Sequence, residues 1–268
     1  LLGISNNILT ANSMPTLSSL DSANTAFFRQ ETETYSAFAE VTWNVTDAFR
    51  VTSGLRYSEE EKEMVKGQPD GDPVLDFVYA NILSFMSPHH QEMDRSEEHW
   101  TGKINLQYDV NADAMVYLNV SNGVKGGGFD EDNALGRDDV AEFEEEKVKS
   151  IELGAKMEFW NGRARLNMAL FKNDFKDVQV STFDGNAGFL VGNAAETIVE
   201  GFETDWTVAV SEGLTLTGSL AYLDARYESF DDAACNVAQI TATIASGATR
   251  SSCTQDLAGK PLQFAPDW

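Results

Sequence analysis

Apolar and polar residues alternate along residues 35–58 with a period of two. The apolar positions of the two arms are Tyr35, Ala37, Ala39, Val41, Trp43 and Val45, then Phe49, Val51, Leu55 and Tyr57. Polar residues occupy most of the positions between them, and a short turn at residues 46–48 separates the arms. A period of two over both arms predicts an antiparallel β-hairpin with one apolar face and one polar face.

The length of each arm and its aromatic residues indicate a membrane-spanning hairpin. Each arm has about ten residues, which is the length of a tilted strand that crosses a bilayer. Tyr35, Trp43, Phe49 and Tyr57 stand at the ends of the apolar face, and aromatic side chains line both membrane interfaces in outer-membrane barrels. A soluble β-sandwich also alternates, but it has no reason to collect its short turns at one end.

Three further hairpins have the same pattern, at residues 100–121, 148–180 and 198–227. Their turns are short, and one of them contains Asn161 and Gly162, which is a strong hairpin signal. Each apolar face again opposes a polar face. The four hairpins therefore predict one antiparallel wall.

The connections between the hairpins are long, at residues 58–98, 122–147 and 229–260. Ordinary connections have about four to six residues, and longer ones are usually functional. Alternation of short turns with long loops is typical of bacterial outer-membrane barrels, whose long loops are extracellular. We therefore predict eight strands, with a ninth beginning near Leu262. We also place all three histidines in or beside the first long loop: His89, His90 and His99.

Composition excludes several classes of protein. The chain has 43 acidic and 19 basic residues, and its formal net charge of -24 argues against nucleic acid as a partner. No run of 18 or more apolar residues occurs, so no transmembrane helix is predicted. The sequence also lacks the Gly-x-Ser-x-Gly motif of a nucleophile elbow. We therefore predict neither an enzyme nor a resident cofactor.

Several stretches in a fixed order carry a family resemblance. They are residues 35–40, 55–58, 116–129, 150–156, 170–180, 200–203, 259–262 and 265–268. Together they resemble the β-barrel domain of the TonB-dependent receptors of Gram-negative bacteria, over nearly the whole chain. The resemblance implies a barrel of about 22 strands with a plugged lumen. It also implies uptake of a scarce ligand across the cell outer membrane, by default a ferric siderophore, with energy passed through TonB.

The resemblance further implies that residues 1–268 are an internal part of the barrel domain, because no plug domain, TonB box or C-terminal aromatic strand is visible. We expect an all-β, antiparallel transmembrane β-barrel wall, present as an open curved sheet of about eight or nine strands. Two other functions stay open at this point: a passive porin-like channel, and a structural or adhesive outer-membrane barrel. An upstream plug with a TonB box would favour the receptor.

The resemblance names three partners: outer-membrane lipid, the TonB complex through the missing plug, and a small-molecule ligand such as an iron chelate. Inward and strand-top residues are our candidates for ligand contact: Arg56, Tyr117, Asn119, Lys125 and Phe129. The acidic loops fit poorly with a strongly anionic ferric chelate. Cobalamin or a glycan therefore stays open as the ligand.

Two of the long loops have features of their own. Glycines 126–128 are interpreted as a bend from a strand into its loop. The acidic residues at 130–146 that follow are interpreted as a solvated loop rather than a calcium or other metal site. Cys235 and Cys253 fall in one loop that the resemblance places outside the cell, where oxidising conditions favour a disulfide.

Overall fold

The computed structural model describes residues 26–69, 87–133, 136–183, 189–249 and 253–268. In chain order its elements are β1 (Phe27–Asn44), β2 (Phe49–Gln68), β3 (His89–Asn111), β4 (Ala114–Lys125), β5 (Gly128–Phe129), a 3-10 helix (Asp138–Val140), β6 (Glu142–Phe143), β7 (Glu146–Phe159), β8 (Ala164–Phe183), β9 (Phe189–Ser211), β10 (Leu214–Ser229), β11 (Ala233–Ala234), α1 (Val237–Ala245) and β12 (Thr254–Gln255). The eight long strands form one open antiparallel sheet in the order β1-β2-β3-β4-β7-β8-β9-β10. The predicted all-β wall of four consecutive hairpins is thereby confirmed.

The strand register keeps apolar side chains on one face of the whole sheet. Leu106 pairs with Leu118, Leu118 with Leu153, Leu153 with Leu170, and Leu170 with Phe202. These side chains do not form a dry core, since Leu153 is 54% exposed and Leu170 is 55% exposed. A continuous exposed apolar band on a sheet is the surface that lipid covers in a membrane barrel. We call this the outward face and the opposite one the inward face.

Aromatic side chains border the apolar band, as the alternation predicts. Toward the long loops, Tyr57 packs against Trp100 with ring centroids 5.0 Å apart. Toward the short turns, Trp43 and Trp160 are 65% and 70% exposed. Such belts place amphipathic rings at the two interfaces of a bilayer. The strand segments between the belts are therefore the membrane-spanning part of the sheet.

The turn between β7 and β8 shows why a short connection works at this end. Trp160, Asn161 and Gly162 all have positive φ, at 55°, 56° and 78°. Consecutive left-handed residues match the right-handed twist of a hairpin. Gly162 accepts this conformation without the steric cost that a Cβ would add. The prediction of a hairpin across Asn161 and Gly162 is confirmed.

Two of the strands run well beyond the membrane, which corrects the predicted loop at residues 58–98. β2 and β3 stay paired from Phe49 opposite Tyr108 to Gln68 opposite His89. The three histidines therefore lie in β3 and not in a loop. Charged residues have a low strand propensity, but the ladder continues because each new pair adds backbone hydrogen bonds. Residues 70–86 of the predicted loop lie outside the described residues.

The last described residues follow β10 only loosely. Tyr227 N–H donates to the Lys260 carbonyl (3.0 Å) and Leu262 N–H donates to that of Ala225 (2.8 Å). Phe264 then has a φ of 59°, which a strand does not accommodate. The ninth strand expected near Leu262 does not form among the described residues, where Pro261 makes only an isolated bridge to Arg226. Among the described residues, no helix is long and apolar enough to cross a bilayer.

Candidate functional site

The inward face in the middle of the sheet is polar. Tyr117 on β4 donates a hydrogen bond from its hydroxyl to Glu152 on β7 (2.7 Å). The Lys156 ammonium lies 5.9 Å from the centroid of the Tyr117 ring, within the range of a cation–π contact. Asn119, Glu152, Lys156 and Tyr117 share one depression of about 300 Å³. The structure thus brings together two predicted ligand residues, Tyr117 and Asn119.

Arg56 lies on the same inward face but in a different depression. Its guanidinium donates to the hydroxyls of Ser36 (2.6 Å) and Ser58 (3.0 Å). The surrounding depression, about 360 Å³, also contains Glu40 and Lys103, whose charged groups lie 2.6 Å apart. Arg56 is therefore a separate polar contact point for any solute in the lumen.

The other two predicted ligand residues lie at the end of β4 that is farther from the short turns, Lys125 as its last residue and Phe129 in β5. Lys125 is exposed and pairs in register with Glu146. Phe129, by contrast, is only 5% exposed. A buried ring cannot reach a ligand while this loop keeps its present conformation, so Phe129 acts here as a packing residue.

The chain after Lys125 folds onto the inward face of the β2–β3 extension. We call residues 126–133 the cover segment. The Lys62 ammonium donates to the Gly127 carbonyl, and the Lys66 ammonium donates to the carbonyls of Asp130 (3.0 Å) and Glu131 (2.6 Å). In return, Gly127 N–H donates to both carboxylate oxygens of Glu97 (3.1 and 3.0 Å). The cover segment is thus held by side chains that point into the lumen.

The cover segment also contacts β8 and β9, on the side away from the β2–β3 extension. Val191 N–H donates to the Asp130 carboxylate (3.1 Å), and the Gln179 amide donates to the Gly126 carbonyl (2.9 Å). Asp130 is only 2% exposed, and Asn133 is equally buried. The prediction of a solvated acidic loop is therefore wrong at Asp130, where the loop bridges two strand pairs. Other acidic residues of the loop are exposed as predicted: Glu131, Asp132, Asp138, Asp139, Glu142 and Glu144.

The glycines of the cover segment are required by close packing rather than by bending alone. A Cβ on Gly127 would lie 2.4 Å from the Phe143 carbonyl oxygen and 2.7 Å from the Arg95 guanidinium. A Cβ on Gly126 would lie 2.9 Å from the Glu60 carboxylate. Backbone and charged groups at these distances leave no room for a side chain.

A charged cluster stabilises the base of this arrangement. Arg95 bonds to Glu97 (2.6 Å), Glu144 (2.5 Å) and Glu142 (3.3 Å), and the His99 Nδ1 lies 2.8 Å from Glu145. Burial opposes the charge on Arg95, but its hydrogen bonds to Glu144 and Glu97 outweigh burial and raise the pKa of Arg95. Among the described residues, no group of three or more His, Cys, Asp or Glu side chains could hold a metal ion.

Two buried groups under the cover have pKa values shifted against their charged forms. Burial lowers the pKa of Lys66, although the nearby Asp130 carboxylate partly offsets it. Burial likewise raises the pKa of Asp130, against hydrogen bonds from the Asp132 and Val191 amides. Both shifts indicate that neighbouring groups compensate only part of the cost of burying these two charges.

Comparison with known proteins decides the family. The model of the TonB-dependent receptor-like β-barrel matches residues 3–268. The chain belongs to this family. The family places it in the outer membrane of a Gram-negative bacterium and consists of receptors and transporters rather than enzymes.

Individual relatives are more distant. The chain is 25% identical to the pesticin receptor of Yersinia enterocolitica over 79% of its own length, and 26% identical to that of Yersinia pestis over 70%. It spans 28% of the first of these relatives and 26% of the second.

Solved structures share the fold. The ferric yersiniabactin uptake receptor FyuA of Yersinia pestis has a TM-score of 0.63 at 22% identity, covering 75% of this chain and 28% of that one. The siderophore receptor PiuA of Acinetobacter baumannii has a TM-score of 0.59 at 17% identity, covering 78% and 28%.

Within this TonB-dependent receptor barrel, sequence reasoning missed the residues that hold the cover segment. Lys62, Lys66, Arg95 and Glu97 fall within the predicted loop at residues 58–98. Yet Lys62, Met64 and Lys66 alternate with Glu61, Glu63 and Val65. The alternation was the available signal. This signal is weak because both faces of the extension are polar. An alternation of period two then does not distinguish an apolar face from a polar one.

The cysteines lie in the connection after β10. Cys235 and Cys253 form a disulfide with their Cα atoms 5.7 Å apart. Helix α1 begins next to it with a capping box, in which the Asn236 side chain accepts from Gln239 N–H and the Gln239 side chain accepts from Asn236 N–H. Both features restrain the connection that follows β10.

Proposed function

We propose that the chain forms part of the barrel wall of an outer-membrane receptor that takes up a ferric chelate with energy delivered through TonB. The observation that carries this proposal is the cover segment. It is folded against the inward face of the β2–β3 extension and is held there by Lys62 and Lys66. An ordered inward-facing loop with cationic side chains beneath it suits a receptor that binds a ligand before admitting it.

The names of the relatives support this ligand class. The similar structures include an uptake receptor for ferric yersiniabactin and a siderophore receptor. Because the chain spans little more than a quarter of these proteins, we propose that residues 1–268 are part of a longer barrel domain. Its plug, its contact with TonB and its remaining strands would then lie outside this sequence, while outer-membrane lipid covers the outward face.

We further propose the inward polar residues as ligand contacts. Tyr117 and Asn119 share a depression, Arg56 lies in the neighbouring one, and Lys125 is exposed at the strand top. These groups offer hydroxyl, amide and cationic donors to oxygen atoms of a chelate. Phe129 would contribute indirectly, by packing the cover segment.

Uptake of iron by whole cells tests this function. The full-length receptor is expressed in iron-starved cells that lack other siderophore receptors, and uptake of a radiolabelled ferric tris-hydroxamate and a ferric tris-catecholate is measured. We expect receptor-dependent uptake of at least one chelate, and its loss in a matched strain without TonB. Uptake that persists without TonB would identify a passive channel. Absence of receptor-dependent uptake of both chelates would overturn the proposed ligand class.

A further inference from the structure

Lys66 is a buried cation whose ammonium has no carboxylate among its hydrogen-bond acceptors in the described part of the chain. The residue is 4% exposed, and its ammonium donates to the backbone carbonyls of Asp130 and Glu131. The Asp130 carboxylate instead accepts from the amides of Asp132 (2.9 Å) and Val191 (3.1 Å). Lys66 therefore donates to neutral carbonyl oxygens in a buried place, where the nearby Asp130 carboxylate offsets only part of the effect of burial.

Two more cations lie beside it on the same inward face. Lys62 is opposite Arg95 in the ladder, and Lys66 follows Lys62 by four residues, which returns it to the same side of the strand. The side chains of Lys62 and Arg95 are 10% and 11% exposed. Their burial depends on the cover segment and on the adjoining carboxylates: Glu60 and Glu97 pair with Lys62, and Glu97, Glu142 and Glu144 pair with Arg95.

Such an arrangement costs stability, because a buried charge is expensive unless an ion pair and hydrogen bonds compensate it. A methionine of similar length would pack at position 66 without that cost. Perturbed and incompletely paired charges are concentrated at functional sites. The cover segment offers carbonyl oxygens to Lys62 and Lys66 as hydrogen-bond acceptors. An anionic chelate would also offer oxygen acceptors to these cations.

We propose that Lys62, Lys66 and Arg95 form an anion-binding site in the barrel mouth, and that the cover segment occupies it until a negatively charged group of the ligand takes its place. The proposal rests on the proposed function, since it names the charge class of the same receptor's ligand. It also reconciles the acidic loops with an anionic chelate. Displacement moves Asp130, Glu131 and Asp132 away from the cations as the ligand binds.

The cover segment has the character of a replaceable occupant. Its hydrogen bonds to the extension involve Lys62, Lys66 and Glu97. The carbonyl oxygens bound by the two lysines can be exchanged for ligand oxygens at little net cost, whereas the Glu97 carboxylate keeps the Arg95 guanidinium as its donor. A further contact beyond the cover segment is also polar, from the Gln91 amide to the Asp138 carboxylate (2.7 Å). A ligand that offers the cations the same kind of hydrogen bond can therefore shift the equilibrium toward the state in which the cover segment is displaced.

Binding of two chelates to the purified full-length receptor tests the site. The probes are a ferric tris-catecholate, which is anionic, and a ferric tris-hydroxamate, which is neutral. Lys66→Met should weaken binding of the anionic chelate about tenfold and leave binding of the neutral one unchanged. Lys66→Arg should restore the anionic preference, and Lys149→Met, which removes an exposed lysine of β7, should have no effect.

Hydrogen exchange provides the second readout. The anionic chelate should increase amide exchange in residues 126–133 of the wild-type receptor, because the cover segment leaves the strands. The proposed site would be overturned if Lys66→Met weakened binding of both chelates equally or left binding of the anionic chelate unchanged. It would also be overturned if the anionic chelate slowed amide exchange in residues 126–133 of the wild-type receptor. A wild-type receptor that binds only the neutral chelate overturns the site but not the proposed function. One that binds neither chelate overturns both.

Discussion

Replacing Gly127 by valine should detach the cover segment from the β2–β3 extension. The new side chain would meet the Phe143 carbonyl and the Arg95 guanidinium, both within 3 Å of its Cβ. The Lys62 ammonium would at the same time lose the Gly127 carbonyl as an acceptor. Overpacking and a lost buried hydrogen bond together should cost the closed arrangement about 3 kcal/mol.

Hydrogen exchange of residues 126–133 in the full-length receptor measures this effect. Gly192→Val is the matched control, since a Cβ at Gly192 meets nothing within 4 Å and valine is well suited to a strand. We expect fast exchange in Gly127→Val and wild-type exchange in the control. Wild-type protection in Gly127→Val would show that the cover segment is not packed as described.

Replacing Leu153 by arginine should destabilise the whole barrel. Leu153 lies in the middle of the apolar band, opposite Leu118 and Leu170. A charged side chain at the lipid-facing midplane of an outer-membrane barrel costs about 2–4 kcal/mol. The free energy of unfolding in phospholipid vesicles should therefore fall by that amount, and less folded receptor should reach the outer membrane.

The inward face supplies the control for this substitution. Asn167 on β8 points to the lumen side, where its amide donates to Asp205 (3.0 Å). Asn167→Arg places the same charge next to a carboxylate and water, so its effect on unfolding should be small. Equal destabilisation by the two arginines would contradict the assignment of the faces.

The membrane-spanning part of the sheet could be predicted from the sequence because one face is apolar throughout. The alternation from Tyr35 to Trp43 predicts the membrane part of β1 and its outward face, since a slip of one residue would expose the polar face to lipid. The same strand extends back to Phe27, before the alternation begins. The inward positions of Tyr117 and Asn119 followed from the same rule. In this part of the sheet, the alternation of apolar and polar residues and the contact with lipid favour the same structure.

The extension and the cover segment could not be predicted from the sequence, and the physical reason is a different one. Lys66 and Asp130 are 64 residues apart in the chain, and no periodicity connects a strand with a distant loop. The strand extension through Lys66 is strongly charged, which favours a loop on propensity alone. Its stability comes from partners that the fold supplies, so that tertiary contacts override the local preference.

Alternating cysteine labelling across β7 tests the central claim most directly. Single cysteines at positions 151, 152, 153 and 156 are introduced into the full-length receptor in intact cells, and a water-soluble maleimide is applied. Ile151 and Leu153 lie on the outward face and Glu152 and Lys156 on the inward face. A membrane barrel wall predicts labelling at 152 and 156 but not at 151 and 153. Equal labelling at all four positions would contradict a lipid-facing band.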